Sequence, residues 1–146
     1  MQMVWLMGLL LGMTLFGTME NSGFQKKSLK ATLDEKRNNR RVLLLYGADQ
    51  AQPAFRQQQQ ILQAEKAGLD ERDLDILVLT AAELPETDRQ FLAKNAFQLT
   101  PSDVFKGWLI GKDGGVKHTF KKPIKPGEIF RIIDSMPMRQ AETRKQ

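Results

Sequence analysis

Few side chains of this sequence could carry out catalytic chemistry. The 146 residues include no cysteine and one histidine, His118. Without sulfur, the chain can perform neither thiol–disulfide exchange nor thiol peroxidase chemistry, and it can form no cysteine-based metal site. One histidine also excludes a metal site built from a histidine cluster. His118 remains a candidate ligand contact because imidazole titrates closest to neutral pH, although a lone strand histidine is usually a packing residue.

Aspartates near the ends of predicted elements are the other candidates for acid–base chemistry. They are Asp49, Asp113 and Asp134. Their spacing pairs them neither with one another nor with His118, so we assign no catalytic residue, cofactor or metal ligand. A small enzyme of hydrolytic type, working through the loop around Asp49 and through His118, stays the alternative to a binding function.

Basic residues give the chain a net charge of +5 and a pI near 9.6. The densest basic stretch consists of Lys106, Lys112, Lys117, Lys121, Lys122 and Lys125, with only Asp113 opposing them. If these side chains share one edge, that edge attracts phosphate or sulfate groups, and Lys112, Lys117, Lys121 and Lys122 become ligand contacts. Alternatively, the lysines protect a sheet edge from pairing with other chains. No nucleic-acid motif accompanies them, so we expect an unidentified protein or anionic ligand as partner rather than a specific nucleic acid. We also expect the protein to be a monomer.

Short apolar runs separated by turn residues predict four strands. They cover residues 41–46, 75–80, 104–110 and 116–120. The first two read as strands buried on both faces, and the helical stretch between them implies a parallel crossover. The pair Asp113-Gly114 predicts a tight hairpin between the last two strands rather than a phosphate-binding loop, because the spacing of a phosphate loop is missing.

Three helices complete the predicted order. The first begins at Pro53 with Asp49 as a possible cap, turns most of the glutamines at 57–60 away from its apolar stripe and stops at Gly68. Its apolar stripe consists of Ala54, Phe55, Ile61, Leu62 and Leu69. The free amides near Gln52 could bind an anion, although a plain helix start also explains them. A short second helix carries Thr87 and Gln90 at capping-box spacing, and a last helix spans residues 126–135.

The order strand–helix–strand–helix–strand–strand–helix predicts an α/β fold. We expect a four-stranded mixed sheet with helices packed on it, which is the connectivity of the thioredoxin-like fold. The folded domain is predicted at residues 41–137.

Both termini are predicted to lie outside this domain. Residues 3–19 carry no charge, so residues 1–19 read as a signal peptide, with a membrane anchor as the alternative. No lysine or arginine precedes the run, no A-x-A-like cleavage site is visible and basic residues follow it, which weakens the case for cleavage and export. Residues 20–40 read as a polar tether and residues 138–146 as a frayed basic tail.

Three strings of the sequence resemble the domain-of-unknown-function family 4174. They are LIGKDGGVK at 109–117, IDSMPMR at 133–139 and AGLDERDL at 67–74. The resemblance covers roughly residues 40–142. It implies a thioredoxin-like, peroxiredoxin-related fold, often found in exported bacterial proteins, and a relation to domains of animal sushi-repeat extracellular matrix proteins. It implies no reaction and no catalytic residue.

The position that carries the reactive cysteines in thioredoxins is the junction of the first strand and first helix. Here that junction, residues 47–53, contains no sulfur. We therefore expect a non-redox thioredoxin-like binding or adaptor module, exported to the periplasm or outside the cell, or else membrane-associated. The candidate ligand contacts are Asp49, Gln52, Lys112, Lys117, His118, Lys121 and Lys122.

Overall fold

A mixed four-stranded sheet forms the centre of the molecule. The computed structural model describes residues 26–146, so the signal or anchor predicted at residues 1–19 lies outside the described residues. The strands are β1 (Arg41–Gly47), β2 (Leu74–Thr80), β3 (Phe105–Ile110) and β4 (Val116–Phe120). The helices are α1 (Leu29–Lys36), α2 (Pro53–Gln63), α3 (Lys66–Glu71), α4 (Glu86–Ala93), α5 (Pro126–Asp134) and α6 (Pro137–Thr143), with a 3-10 turn at Ala81–Glu83. Among these residues, no helix combines the length and the apolar character needed to cross a membrane.

The strand order β2-β1-β3-β4 confirms the predicted fold class. β1 pairs in parallel with β2 and antiparallel with β3, and β3 pairs antiparallel with β4. The β3–β4 connection is the predicted tight hairpin, in which the Gly111 amide donates to the Gly115 carbonyl at 2.9 Å. Gly114 adopts φ +82° there, a conformation that costs glycine little because it has no Cβ.

Two apolar cores lie on opposite faces of the sheet because successive strand side chains alternate between faces. Leu43 and Leu45 of β1 face the first core, where α2, α3 and α5 pack. Leu44 and Tyr46 of β1 and Trp108 of β3 face the second core, and α1 and α4 cover this core. β1 is buried along its whole length, as its continuous apolar run predicts.

The first predicted helix is divided in two, which corrects its predicted end. α2 ends at Gln63 and α3 starts at Lys66, so Gly68 lies inside α3 rather than stopping a helix. Gly68 is needed there because a Cβ would sit 2.7 Å from the ring of Phe130. Gln58 is also not exposed: it is fully buried, donates to the Ile124 carbonyl at 3.0 Å and accepts from the Ile124 amide at 2.7 Å.

Two predicted helix caps are wrong. Asp49 does not cap α2; the side chain of Gln52 does, accepting from the Phe55 amide at 2.9 Å. The capping box of Thr87 and Gln90 does not form, because α4 already begins at Glu86 and has no side-chain cap.

The folded unit extends beyond the predicted 41–137 at both ends. Part of the predicted tether is α1, whose buried Leu29 donates its amide to Asp88 Oδ1 of α4 at 3.0 Å. The predicted frayed tail contains α6, whose buried Arg139 donates to the Glu71 carbonyl at 3.0 Å. Charged contacts hold both segments to distant positions, and a search for apolar periodicity does not detect such contacts.

Candidate ligand-binding site

A cavity of about 490 Å³ opens at the carboxyl end of β1. Its walls come from the end of β1, the helix α4, the 3-10 turn before it and the loop at residues 99–104. The volume lies within the range of small-molecule sites, roughly 300 to 1,000 Å³. The lining residues are Tyr46, Ala48, Ala81, Glu86, Arg89, Gln90, Ala93, Leu99, Thr100, Pro101, Asp103 and Val104.

The chain is fixed where the cavity meets the sheet. The Ala48 amide donates to the Val104 carbonyl at 2.9 Å, which joins the segment after β1 to the loop before β3. Gly47 allows α2 to approach this point, because a Cβ there would lie 2.6 Å from the ring of Phe55. The base of the cavity is therefore held by backbone contacts and does not depend on exposed side chains.

Arg89 of α4 stands on the rim with its guanidinium held by neutral acceptors. Its Nη2 donates to the Ala81 carbonyl at 3.1 Å and to the Leu84 carbonyl at 3.4 Å. Glu86 Oε2 lies 3.5 Å from Arg89 Nε, and the two side chains are 70% and 44% exposed. An exposed pair of this kind contributes little, so Glu86 does not neutralise Arg89 strongly.

Tyr46, the sixth residue of β1, borders the cavity from inside the sheet. The residue is only 5% exposed, and its ring belongs to the second core. Within residues 26–146 its hydroxyl forms no hydrogen bond, and the side chain borders the cavity. The hydroxyl oxygen is not one of the buried side-chain atoms that lack a partner, so it keeps contact with solvent.

Asp103 lies on the same wall, but its oxygens are already engaged. Oδ2 accepts from the Thr100 amide at 2.8 Å and from Thr100 Oγ1 at 3.0 Å, while Oδ1 lies 2.9 Å from Lys121 Nζ. Burial opposes ionisation of Asp103, but the hydrogen bonds from Lys121 and Thr100 outweigh it and lower its pKa. Asp103 is thus an ionised structural residue rather than a proton acceptor for a substrate.

Neither of the predicted contacts in the loop after β1 borders this cavity. Asp49 Oδ1 accepts from the Ala51 amide at 2.8 Å, which stabilises the turn. Gln52 caps α2, so its side-chain oxygen is engaged as well. Whether either residue contacts a ligand stays a prediction.

The basic stretch does not form one open edge, because carboxylates of the chain offset much of its charge. Lys112 Nζ lies 2.8 Å from Asp73 Oδ2, and Lys117 Nζ lies 2.6 Å from Asp113 Oδ2. These two lysines border a cleft of about 500 Å³ between the β3–β4 hairpin and α6. His118, Lys121 and Lys122 border a different, shallower depression of about 380 Å³.

The enzyme built on the Asp49 loop and His118 is incompatible with the strand register. His118 is opposite Leu109, which in turn is opposite Leu43 of β1. Asp49 follows the end of β1 at Gly47, which is four residues or about 13 Å along the strand from Leu43, and β4 lies two strand spacings or about 10 Å to the side of β1. The two side chains therefore cannot act on one reacting atom. No group of side chains suited to a metal ion occurs among residues 26–146.

Sequence reasoning missed the residues of the cavity at the carboxyl end of β1. Tyr46, Arg89, Thr100 and Asp103 come from separate segments, and no motif links them. One signal was available: Tyr46 is the only residue with a polar tip at the end of the aliphatic run 42–46.

Solved structures similar to this chain show that it has a thioredoxin-like fold. A reduced 2-Cys peroxiredoxin of Plasmodium vivax is 19% identical, with a TM-score of 0.50, over 76% of this chain and 72% of that one. A DsbF homologue of Corynebacterium diphtheriae is 13% identical, with a TM-score of 0.53, over 71% and 76%. The peroxiredoxin Prx1a of Plasmodium yoelii is 16% identical, with a TM-score of 0.52, over 76% and 80%. At these identities the likeness shows the fold alone.

The family follows from the sequence itself. Residues 32–142 match the model of the family described as Domain of unknown function (DUF4174), and the chain belongs to that family. This confirms the resemblance drawn from the three strings. No curated protein matches the chain.

Proposed function

We propose that this protein is a non-redox binding domain whose ligand occupies the cavity at the carboxyl end of β1. The observation that carries the proposal is the cavity itself, about 490 Å³ in volume, at the end of the sheet where thioredoxins carry their reactive cysteines. The chain has no cysteine. Of the junction 47–53, which carries the reactive cysteines in thioredoxins, Ala48 lines the cavity, and the junction lacks the sulfur for redox chemistry.

Binding fits the polar groups of the cavity better than catalysis does. A hydrolytic site needs a nucleophile or a water held by a free base. The one buried carboxylate on the wall, Asp103, already accepts hydrogen bonds from Thr100 and forms an ion pair with Lys121. Glu86, the other carboxylate on the wall, is 70% exposed and lies 3.5 Å from Arg89 Nε, so it is a solvated side chain rather than a desolvated base.

Two-dimensional amide NMR of the purified protein with a mixture of small aromatic fragments tests the proposal. We expect chemical-shift changes concentrated at Tyr46, Ala48 and Leu99. Ala93→Trp places a large side chain at the exposed rim of the cavity and should abolish these changes. Ala67→Trp, an equal change on an exposed helical position away from the cavity, should preserve them. Shifts scattered over the surface, or shifts that survive Ala93→Trp, would contradict the proposed site.

We also propose that the domain is exported, or held at the outer side of the membrane, through residues 1–19. The support is the run of residues 3–19, which carries no charge and is too apolar to remain in water beside a domain that is already folded. Cell fractionation and mass spectrometry of the mature N-terminus test this. An intact Met1 on a protein that is protected from protease in both whole cells and spheroplasts would overturn export.

A further inference from the structure

The helix α6 is docked on the rest of the molecule mainly by charged side chains. Of its seven residues, Pro137–Thr143, only Arg139 and Glu142 are at least partly buried. These two stand three positions apart, so they lie on the same face of the helix. The apolar residues of α6, Met138 among them, are all exposed. Little of the free energy that holds α6 in place therefore comes from buried apolar surface.

Glu142 joins α6 to two other elements. Both terminal nitrogens of Arg41 in β1 and Nζ of Lys112 in the β3–β4 hairpin lie within 3.2 Å of its carboxylate oxygens. Arg139 of α6 itself is 3.8 Å from Glu142, and Asp73 shares Lys112 with it. Glu142 is the only carboxylate in α6, so these contacts with β1 and the hairpin depend on one charge.

Arg139 joins α6 to α3 and α5 through weaker pairs. Its Nη2 lies 2.9 Å from Glu71 Oε1, its Nη1 donates to the Glu71 carbonyl at 3.0 Å, and its Nε lies 3.4 Å from Asp134 Oδ1. Arg72 pairs with the same Asp134 at 2.9 Å. The side chains of Glu71 and Asp134 are 60% and 45% exposed, so solvent competes with both carboxylates. Arg139 alone therefore holds α6 less firmly than Arg139 and Glu142 do together.

The backbone already separates α6 from α5. α5 ends at Asp134, Met136 is extended with φ −71° and ψ 137°, and Pro137 begins α6. Proline has no amide hydrogen, so the helical hydrogen bonds of α5 cannot run on into α6. A cleft of about 500 Å³ lies between α6 and the β3–β4 hairpin. Movement of α6 about Met136 therefore interrupts no continuous helix.

We propose that α6 is an ionic latch, which leaves β1 and the β3–β4 hairpin as a unit when Glu142 is protonated, while the sheet stays folded. Protonation removes the charge that Arg41 and Lys112 bind, whereas apolar packing on both faces holds the sheet together without charge. The latch lies at Arg41, the first residue of β1, and the proposed cavity lies at the other end of that strand. The inference therefore goes beyond the proposed function and does not depend on it.

The charges around the latch set the direction of its pH dependence. Burial opposes ionisation of Glu142, but hydrogen bonds from Lys112 and Arg41 outweigh it and lower the pKa of Glu142. A hydrogen bond from Arg72 likewise lowers the pKa of Asp134, which faces Arg139. A carboxyl with a lowered pKa in the docked state stabilises docking at neutral pH, and this is lost as the pH falls through the docked value. The latch is thus closed at neutral pH and opens in acid.

Backbone NMR relaxation of the full chain through a pH titration tests the latch. At pH 7 we expect order parameters of about 0.85 in both β1 and residues 138–143. Below about pH 4.5 those of residues 138–143 should fall under about 0.6, while β1 stays near its starting value. Loss of order in α6 and β1 at the same pH would overturn the inference, and so would an α6 that stays ordered until β1 unfolds.

Variants assign the opening to Glu142. Glu142→Lys sets a cation against Arg41 and Lys112, so α6 should lose its order at pH 7 while β1 keeps its own. Gln140→Lys is the matched control, because it adds the same charge at an exposed position of the same helix. Glu142→Gln resembles the protonated carboxyl, so its α6 should be disordered at pH 7 and change little on acidification. An α6 that stays ordered at pH 7 in both Glu142 variants would overturn the inference.

Discussion

Lys112 Nζ lies 2.7 Å from Glu142 Oε1, an ion pair that joins the β3–β4 hairpin to α6 across 30 positions of the sequence. The same carboxylate accepts from both terminal nitrogens of Arg41, each at 3.2 Å. The Arg41 side chain is only 1% exposed, and its Nε is the one buried side-chain atom without a hydrogen-bond partner among residues 26–146. Ion pairs therefore hold α6 to the β3–β4 hairpin and to β1, whereas apolar packing holds the other helices to the sheet.

Replacing the shared carboxylate should loosen the C-terminal helix. Glu142→Gln leaves Arg41 buried with its charge unpaired, and breaking a buried pair is costly. Because Glu142 itself is 27% exposed, we expect a loss of about 1 to 3 kcal/mol in the free energy of unfolding. Urea denaturation measures it. Glu128→Gln, an exposed change on α5 without an ion pair among the described residues, should have no comparable effect.

Acid should destabilise the protein through its paired carboxyls. Burial disfavours the charged form of Asp75, but hydrogen bonds from Arg40 and Lys36 outweigh it and lower the pKa of Asp75. Burial likewise opposes ionisation of Glu142, while hydrogen bonds from Lys112 and Arg41 lower its pKa. A carboxyl with a lowered folded-state pKa stabilises the fold above its unfolded pKa, and this is lost as the pH falls through the folded value.

The free energy of unfolding should therefore stay level from pH 7 to about 5 and fall steeply between about pH 5 and 3. Asp75→Asn should remove roughly 1 kcal/mol at pH 7 and less at pH 3, which flattens the curve. Urea titrations at a series of pH values measure this. A variant curve parallel to that of the original protein would show that Asp75 is not one of the groups responsible; Asp70→Asn, at an exposed position on α3, is the control.

Two glycines should respond in opposite ways to the same change. Gly107 of β3 is opposite Phe120, and a Cβ at Gly107 would overlap the Phe120 ring. Gly107→Ala should cost about 1 to 3 kcal/mol of stability. Gly127 lies in the first turn of α5 with no atom within 4 Å of an added Cβ, so Gly127→Ala should gain up to about 1 kcal/mol. Thermal denaturation shows whether each variant is stabilised or destabilised. A change in the same direction for both variants would contradict the packing described around Phe120.

The contact between α1 and α4 should control the opening of the N-terminal helix. Asp88→Ala removes the acceptor of the buried Leu29 amide and should cost about 1 to 2 kcal/mol. Hydrogen exchange should then speed up in residues 29–36 far more than in β1. Asp34→Ala, which removes only an exposed pair with Lys30, is the comparison. Uniform acceleration over the whole chain would mean that the variant unfolds globally instead.

The strands were predictable because each carries a local pattern. β4 has the same bounds in the prediction and the structure, since a turn-forming Asp113-Gly114 pair precedes it. The other three strands differ from prediction by one residue at an end. α6 was not predictable in this way, because its sequence PMRQAET has no apolar repeat and its docking depends on the distant partners of Arg139 and Glu142.

The candidate site was harder to predict than the fold for a related reason. Two of its lining residues, Arg89 and Tyr46, are separated by 43 positions and border one cavity only because the fold brings α4 near the end of β1. The high density of lysines instead predicted ligand contacts within residues 106–125. There the structure brings Asp73, just before β2, and Glu142 of α6 beside Lys112, and the linear sequence does not show this proximity.

The docking of α1 shortens the distance over which the domain could move if residues 1–19 anchor it. A tether of residues 20–40 would allow a reach of about 70 Å when fully extended. With α1 packed on α4 from Leu29 onward, only residues 20–28 connect the anchor to the folded body, and their full extension is about 30 Å. An anchored domain would then work within roughly one domain diameter of the bilayer, and its ligand would have to be found in that thin layer of solvent.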